Sequence, residues 1–331
     1  MKRIFSVLIA LILLLGLCAC GNSFPKELEQ YAIPWKVDAV KQARDDGCIH
    51  YYFMSAQGMI TDPTHPNYPE KWGDSCLIVF PDGKSMLLDT GMQTYAQVLV
   101  ENLKRLGIKK LDYLLFSHPH NDHCYAALVE GGVFDAFEVG QVYHNGAFNE
   151  NWTIGVTAID DICKEKNIPV QVLKQGDALN FGLVSAKVLW PRDGIAGQTF
   201  TSGHEYDAVE DINNSSIVIR FDYKEHSSLF GGDVFSSGEE KMVADYSAEK
   251  ELLDVDLMKA MHHGSQTSNS ATLLFATTPE LIVSTGYAPI TGDVKDVYNL
   301  VNAQLLNDRN FGYIHVSSDG TDLKYEISGH K

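Results

Sequence analysis

The chain has 331 residues, 45% of them hydrophobic and 21% charged, and its formal net charge is −17. This is the balance of a globular protein, and the length allows one large domain or two small ones. An acidic surface repels nucleic-acid phosphates at long range, so the charge argues against a tight, non-specific DNA binder.

The N-terminal segment has the three-part form of a secretory signal. Met1-Lys2-Arg3 supplies positive charge, residues 4–17 are an almost unbroken apolar stretch, and Leu17-Cys18-Ala19-Cys20 follows with small residues at the cleavage position. The last four residues resemble a bacterial lipobox, in which cleavage precedes the final cysteine and that cysteine receives a lipid. A transmembrane anchor is the alternative, but the stretch is shorter than the ~20 residues that a spanning helix needs.

We therefore expect residues 1–19 to be a signal peptide and Cys20 to be lipidated, with the protein anchored at the extracytoplasmic face of the cell membrane. Cleavage removes Lys2 and Arg3 and no acidic residue, so the mature net charge would be −19. The remaining cysteines are too sparse for a disulfide scaffold. We expect them to be small buried residues, and they are Cys48, Cys76, Cys124 and Cys163.

Residues 20–45 are interpreted as a lipid-anchored tether and a lead-in helix, after which strand and helix patterns alternate. Strands are predicted at residues 49–54, 76–80, 85–89, 111–116, 141–143, 170–173, 185–190, 216–221, 228–230, 281–285 and 313–316. Helices are predicted at residues 93–106, 125–129 and 297–306. The second and third strands, and the strands around residue 225, predict hairpins. We expect one α/β domain over residues 46–331.

The most informative segment follows the strand predicted at 111–116, and it reads His118-Pro119-His120-Asn121-Asp122-His123. It places three imidazoles and one carboxylate in a single turn of chain. Imidazole nitrogen is a good zinc ligand, and a carboxylate beside it is typical of a hydrolytic or two-metal site. The alternative is a histidine-rich polar loop without metal, and the flanking sequence argues against it.

Further candidate ligands follow two later apolar runs. Asp233 comes after Leu229-Phe230-Gly231-Gly232, whose glycines would let the backbone approach an ion closely. The alternative is an Asx-turn aspartate. The segment His262-His263-Gly264-Ser265 follows residues 255–261. Neighbours on a strand point to opposite faces, so we expect one histidine to be a ligand and the other to orient it or contact substrate.

A different chemistry is suggested by Asp89-Thr90-Gly91, because this triplet also occurs in aspartic proteases. Those enzymes need two carboxylates that share a proton. The sequence has no second Asp-Thr-Gly or Asp-Ser-Gly triplet. An aspartic protease is therefore excluded, and Asp89 needs another role.

Residues 47–328 resemble a metallo-β-lactamase superfamily hydrolase, with the Asp-Thr-Gly strand end, the His-x-His-x-Asp-His run, the Gly-Asp strand end and the late histidine in that order. More narrowly, Gly73-Asp74-Ser75, Asn213-Asn214-Ser215-Ser216 and His262-His263-Gly264-Ser265 resemble the hydrolase domain of ComEC-type competence proteins and their secreted relatives. The resemblance implies an α/β fold, a four-layer αββα sandwich, with two metals at one edge.

The resemblance also implies a role for each motif residue. His118 and His120 would hold the first metal, Asp122 and His123 the second, and Asp233 would bridge both. The second metal would be completed by His262 or His263, and we prefer His263. Asp89 would not be a ligand and would orient the histidine loop through hydrogen bonds.

One ligand position departs from the family pattern. Many superfamily members have a third histidine on the first metal, and this chain has Asn213-Asn214 there. His204 could fill the role instead, or be a solvated loop side chain. For substrate contact we expect His262, Asn214 and Tyr125, with core packing as the alternative for Tyr125.

The implied reaction is hydrolysis by a hydroxide that bridges two divalent ions, zinc first and manganese as the alternative. No side-chain nucleophile is then needed. We expect a lipid-anchored, extracellular phosphodiesterase or phosphoesterase that acts on a small or cell-envelope phosphoester. One alternative is an extracellular nuclease linked to DNA uptake, against which the negative charge argues. The other is a non-catalytic metal- or ligand-binding lipoprotein.

Overall fold

The structure is a computed structural model, and it describes residues 25–54, 73–149, 156–200, 212–286 and 293–329. The expected signal peptide, Cys20 and His204 lie outside these residues. Within the described ranges, no helix combines the length and the apolar character needed to cross a bilayer. The chain divides into two compact units, and the first, Met1–Ala32, has a 3₁₀ helix at Lys26–Tyr31.

The second unit, Ile33–Lys331, alternates between strands and helices. Its described strands are β1 (Ile49–Phe53), β2 (Cys76–Val79), β3 (Ser85–Leu88), β4 (Lys110–Leu115), β5 (Glu138–His144), β6 (Phe148–Asn149), β7 (Val170–Val172), β8 (Ala178–Phe181), β9 (Val184–Trp190), β10 (Thr199–Phe200), β11 (Val218–Tyr223), β12 (His226–Phe230), β13 (Leu257–Lys259), β14 (Leu281–Ser284), β15 (Gln304–Asn307), β16 (Ile314–Ser318) and β17 (Leu323–Ile327). Its described α-helices are α1 (Ala39–Asp46), α2 (Ala96–Arg105), α3 (Asn121–Leu128), α4 (Val133–Ala136), α5 (Val156–Lys166), α6 (Ser236–Asp245), α7 (Ala271–Thr277), α8 (Asp293–Leu300) and α9 (Asp308–Phe311).

The strands form two large sheets. The first has the order β17-β16-β1-β2-β3-β4-β5-β7, the second has the order β15-β14-β13-β12-β11-β9-β8, and β6 and β10 form a separate short pair. β3, β4 and β5 are parallel to one another, and so are β12 and β13. The carboxyl ends of parallel strands meet at one sheet edge. The segments that follow β3 and β4 therefore emerge side by side, as do those that follow β12 and β13.

The two sheets pack face to face around an apolar core. Alternate residues of a strand share a face, and Ile49, Tyr51 and Phe53 of β1 accordingly all point into this core. The outer face of the second sheet carries a separate apolar cluster, to which Met242 of α6 and Leu273 of α7 belong. On the outer face of the first sheet, α1 packs against β1 and β2, and α4 packs against β5. Helices thus cover both outer faces, which confirms the predicted αββα sandwich.

Both predicted hairpins are present, whereas two predicted helices have the wrong boundaries. The helix predicted at 297–306 ends at Leu300, and β15 begins at Gln304. Asn302, with a φ of 56°, turns the chain between them, and Leu306 then enters the core between the sheets. The helix predicted from residue 125 begins at Asn121, so the second half of the histidine run is helical.

Candidate metal centre

The histidine run is fixed at the edge of the first sheet by the segment that follows β3. Thr90 donates both its backbone N–H and its hydroxyl to the carbonyl of His123, at 2.7 and 3.1 Å. The N–H of Ala126 donates to the carbonyl of Gly91 at 3.0 Å. These bonds fix the first turn of α3, and with it the orientation of the run.

Asp89 is fully buried behind the run. Its Oδ1 accepts the backbone N–H of Ser117 at 2.7 Å, and its Oδ2 accepts the Ser117 hydroxyl at 2.7 Å. His123 Nδ1 lies 2.8 Å from the same Oδ2, and because a carboxylate only accepts, Nδ1 carries the hydrogen. The structure thus places Asp89 behind the histidines and leaves His123 Nε2 as the nitrogen that could bind an ion.

A first group of donor atoms comes from His118, His120 and Asp233, and its members all lie within 4.8 Å of one another. His118 Nε2 and His120 Nδ1 face each other at 2.9 Å. His118 is held on its other side by Ser117, whose hydroxyl lies 3.1 Å from His118 Nδ1. Two imidazoles and a carboxylate are ligands that suit a transition-metal ion.

A second group, also within 4.8 Å, consists of His123, His263, Asp233 and Asp74. Asp233 Oδ2 lies 3.1 Å from His123 Nε2 and 3.3 Å from His263 Nε2. Asp122 faces the same nitrogens, since its Oδ2 is 3.1 Å from His263 Nε2 and 3.9 Å from His123 Nε2. Asp233 belongs to both groups and therefore lies where a ligand bridging two ions would lie.

The two late histidines lie in a turn, although we expected them on a strand. β13 ends at Lys259, and His262 and His263 follow with φ values of 47° and 55°. The two side chains point in different directions because the backbone is left-handed at both positions, and not because of strand alternation. His263 Nδ1 lies 3.1 Å from the carbonyl of Thr285 and donates to it, so in the neutral imidazole the lone pair is on Nε2.

His262 has a different environment from His263. Its Nδ1 is hydrogen-bonded to the Thr267 hydroxyl, and its Nε2 lies 3.8 Å from Asp233 Oδ2. Its side chain is 22% exposed, against 1% for His263. His263 therefore has the position of a ligand, and His262 lies at the solvent-facing rim.

Gly231 and Gly232 let Asp233 come close to the histidine loop. A Cβ on Gly231 would lie 2.2 Å from Met261 Sδ, and a Cβ on Gly232, whose φ is 52°, would lie 2.7 Å from Ser117 Oγ. Real Cβ atoms do not tolerate such distances. Both glycines therefore leave room for neighbouring side chains where the chain approaches the histidine loop.

The structure buries Asn214, for which we predicted a contact with substrate. Its Oδ1 accepts the N–H of Phe235 at 3.1 Å, its Nδ2 donates to the Ser237 hydroxyl at 3.4 Å, and the residue is 1% exposed. Its amide therefore supports the segment that follows Asp233. Asn213 is the amide that faces the histidines. Burial lowers the pKa of His120, and the Asn213 side chain beside it opposes part of that shift.

Tyr125 and Cys124 are both buried on α3. Tyr125 is 6% exposed, and burial raises its pKa to about 12, so it remains a neutral phenol with little access to a ligand. The Cys124 thiol donates to the carbonyl of His120 at 3.0 Å, and burial raises its pKa well above the usual range. All four described cysteines are free thiols, three of them buried and Cys48 half-buried.

Two charged residues of the centre received no role from the sequence, although one of them lies in the motif Gly73-Asp74-Ser75. Asp74 and Lys259 are only 3% and 4% exposed, and their side chains form a direct ion pair. Lys259 Nζ also lies 3.2 Å from the carbonyl of Gly232 and 4.0 Å from Asp233 Oδ1. The available signal was a single lysine within the otherwise apolar segment 257–261, because a buried lysine requires a partner.

Acids and imidazoles of the centre shift one another's pKa. Burial favours neutral His123 and His263, but the carboxylates, Asp233 first, outweigh it and raise the pKa of both imidazoles well above the usual range. Burial likewise opposes ionised Asp233, but His123, His263 and His262 hold the pKa of its carboxyl well below the usual range. The protein therefore favours positive charge between these carboxylates, where a cation would lie.

Two buried polar atoms of the described centre make no hydrogen bond, namely His123 Nε2 and Asp233 Oδ1. His123 Nε2 lies only 3.1 Å from Asp233 Oδ2, yet the pair lacks hydrogen-bond geometry. Buried polar atoms are almost always satisfied. The imidazole and carboxylate donors around them fit divalent metal ions, which would satisfy both atoms.

The fold and this centre define a class of protein. The model of the metallo-β-lactamase superfamily matches residues 71–286, which span every residue of both donor groups. The chain therefore belongs to the metallo-β-lactamase superfamily, a superfamily of metal-dependent hydrolases.

Among curated proteins, competence protein ComA from Neisseria gonorrhoeae is 28% identical over 214 residues, which cover 64% of this chain and 26% of that relative. The chain thus matches about a quarter of the relative's length. Among solved structures, the metallo-β-lactamase fold protein YhfI from Bacillus subtilis has a TM-score of 0.46 at 12% identity, with 78% of this chain and 95% of that chain covered. Tm1679, a metal-dependent hydrolase of the β-lactamase superfamily, has a TM-score of 0.45 at 14% identity, with the same two coverages of 78% and 95%.

Proposed function

We propose that this protein hydrolyses phosphoester bonds with two divalent metal ions, zinc or alternatively manganese. The observation that carries the proposal is the position of Asp233, which belongs to both donor groups. A carboxylate shared in this way could contribute to the binding of both ions. Paired ions are typical of phosphatases and nucleases, because they stabilise both the attacking and the leaving oxygen of a phosphoryl transfer.

The ions would activate water and polarise the phosphoester when bound, and the protein would hold them with two sets of residues. The first set is His118, His120 and Asp233, and the second is Asp122, His123, His263 and Asp233. Asp89 keeps the hydrogen of His123 on Nδ1, and the Thr285 carbonyl does the same for His263. Each Nε2 is thereby the nitrogen that would bind an ion, which would displace the second proton of the imidazole.

His262 is the candidate substrate-binding residue at the rim. Burial lowers its pKa to about 4, so it is neutral at physiological pH. Its Nδ1 is bonded to Thr267, so it would contact a substrate oxygen through Nε2. The neighbouring thiol is not a candidate nucleophile, because Cys124 is fully buried and donates its hydrogen to a backbone carbonyl.

We further propose a small or cell-envelope phosphoester as the substrate. The lipobox-like segment ending at Cys20 supports a location beside the envelope, and the charge of −17 disfavours a polyanionic substrate. A nuclease is the second candidate function, because a competence protein is among the relatives. A catalytically inactive, ligand-binding lipoprotein is the third.

A substrate panel tests the proposal. Zinc- or manganese-loaded protein is assayed against bis-(p-nitrophenyl) phosphate, a phosphorylcholine ester, single-stranded DNA and a β-lactam. Hydrolysis of the small phosphoesters supports the proposal, and cleavage of DNA alone selects the nuclease. A well-folded, metal-loaded protein that cleaves none of the four contradicts both.

Asp233→Asn tests whether the shared carboxylate is needed. A neutral amide in its place should lower metal content and reduce phosphodiester turnover by at least ~10²-fold, about 2.7 kcal/mol of barrier. Asp161→Asn is the matched control, because Asp161 is an exposed carboxylate on α5. Equal metal content and turnover in the two variants would show that Asp233 does not bridge ions.

We also propose that Cys20 carries a lipid that anchors the mature protein on the extracytoplasmic face. Cys20→Ala should release the protein from membranes into the soluble fraction, and the wild-type protein should incorporate radiolabelled palmitate. Membrane retention of the variant would indicate an uncleaved N-terminal helix in place of a lipid.

A further inference from the structure

A further cluster of potential metal ligands lies at the opposite edge of the first sheet. Asp46, Cys48 and His50, which we call the β1 cluster, each offer a donor atom, and the three atoms lie within 4.8 Å of one another. β1 is antiparallel to β2, and β2 is antiparallel to β3, so β1 and β3 run in the same direction. The candidate metal centre follows the end of β3, whereas the β1 cluster lies at the start of β1. The cluster is therefore separate from the centre.

The ligands of the β1 cluster come from one short segment of chain. Asp46 is the last residue of α1, and Gly47, whose φ is 66°, turns the chain towards β1. Cys48 and His50 are two residues apart, so both side chains lie on the face opposite to Ile49, which packs in the core. The Oδ1 of Asp46 accepts the backbone N–H of Cys48 at 2.9 Å. This bond holds the carboxylate beside the other two donors.

The orientation of the His50 ring is set by a second imidazole. His50 Nδ1 lies 3.0 Å from His315 Nε2, and His315 Nδ1 lies 3.7 Å from Glu326 Oε2. A carboxylate only accepts, so Glu326 favours the hydrogen of His315 on Nδ1, and His315 Nε2 then accepts the hydrogen of His50 Nδ1. In the neutral imidazole, the lone pair of His50 is therefore on Nε2. Histidines that bind metals typically donate their other N–H in this way.

The lone pair of His50 Nε2 faces a carboxylate. Nε2 lies 3.2 Å from both side-chain oxygens of Asp46. Two acceptors at this distance repel each other unless a cation lies between them. A proton there would charge an imidazole that is only 1% exposed, which burial opposes. A metal ion satisfies the contact and leaves the imidazole neutral.

We propose that Asp46, Cys48 and His50 bind a zinc ion, separate from the two ions of the candidate metal centre. Zinc accepts thiolate, imidazole and carboxylate ligands together, and three protein ligands leave the fourth tetrahedral position for water. The Asp46 side chain is 37% exposed and Cys48 is half-buried, so an ion can enter from solvent. Cys48 releases its thiol proton to solvent on binding. The ion joins the end of α1 to β1 and fixes this junction.

Cobalt(II) in place of zinc tests the proposal, because a thiolate ligand gives cobalt a charge-transfer absorption in the near ultraviolet. The two donor groups of the candidate centre contain no thiol. Metal-free protein titrated with cobalt without oxygen should develop this absorption, and Cys48→Ser should lose it. Cys124→Ser is the matched control, because Cys124 donates to the carbonyl of His120, and it should keep the absorption.

Alkylation provides a second measurement that needs no variant. Among the four described cysteines, only Cys48 is half-buried, and the other three are buried. Iodoacetamide should label Cys48 in metal-free wild-type protein, and saturation with zinc should abolish most of this labelling, because the bound thiolate is no longer free to react. Peptide mass spectrometry identifies the labelled cysteine.

The outcomes separate this site from the candidate centre. Asp233→Asn should lose cobalt from the centre and keep the thiolate absorption, since the β1 cluster is intact. Loss of the absorption in that variant would place the thiolate in the centre and refute the proposal. A folded wild-type protein that binds cobalt without the absorption also refutes it, as does absorption that persists in Cys48→Ser or a Cys48 that zinc does not protect. Wild-type protein that takes up no cobalt at all refutes both sites.

Discussion

Asp89→Asn is expected to weaken metal binding without unfolding the protein. The Ser117 backbone N–H always donates, so the amide oxygen of the new side chain must stay at the Oδ1 position, where the distance is 2.7 Å. The amide NH₂ then faces His123 Nδ1, 2.8 Å away in the present structure. Two donors cannot share this contact, so His123 must move its hydrogen to Nε2, the atom that would bind the ion.

The size of the effect can be bounded in two ways. Loss of a hydrogen bond to a charged partner costs about 1.5–3 kcal/mol. Changes behind a metal ligand typically cost about 10–100-fold in metal affinity, which is about 1.4–2.7 kcal/mol. The two ranges agree. Burial raises the pKa of the Asp89 carboxyl above its usual range, so the core should tolerate a neutral amide at this position. We therefore expect the variant to lose metal affinity and to keep its folding stability.

The assay is a chelator-competition titration of zinc, with a thermal melt of the metal-free protein as the test of folding. Ser117→Ala is the comparison variant, because it removes the hydroxyl contacts with Asp89 and His118 and leaves the carboxylate on His123. We expect a smaller loss of affinity for Ser117→Ala than for Asp89→Asn. Wild-type zinc affinity in a folded Asp89→Asn protein would refute the tautomer argument.

Three further changes have expected outcomes. Cys124→Ser should leave turnover within about twofold, because a hydroxyl also donates to the carbonyl of His120; loss of turnover would make the thiol a ligand or nucleophile. Gly286→Ala should lower stability by about 1–3 kcal/mol in a urea melt, because the new Cβ would lie 2.7 Å from the carbonyl of His263. Burial raises the pKa of Glu239 from 4.5 to about 7, so its contribution to stability is complete below pH 4.5 and is lost as the pH rises through 7. Melting temperatures measured from pH 5 to 8 should therefore fall less for Glu239→Gln than for the wild type, and equal slopes would contradict the shifted pKa.

The sequence by itself determined the sheets and the chemistry of the histidine run. Strand alternation is a local property, and it predicted both hairpins and most strands that the structure contains. The run His118 to His123 needs only one turn of chain to bring its donors together. Local patterns predicted the wrong element where a segment is compatible with both a helix and a strand. The apolar residues of 297–306 have the spacing of a helix, yet Leu306 packs in the core between the sheets.

Only the tertiary structure decided which residues surround the centre. Asp74 and Thr285 are 211 positions apart in the chain and meet beside His263. Neither their spacing nor their neighbours indicates this contact, because it depends on how the two sheets pack. Tertiary contacts also impose the backbone turns in these segments. They decide that Asn213, and not Asn214, faces the histidines, and that His262 and His263 point in different directions. Local sequence sets which donors are available, and long-range packing sets the direction in which each of them points.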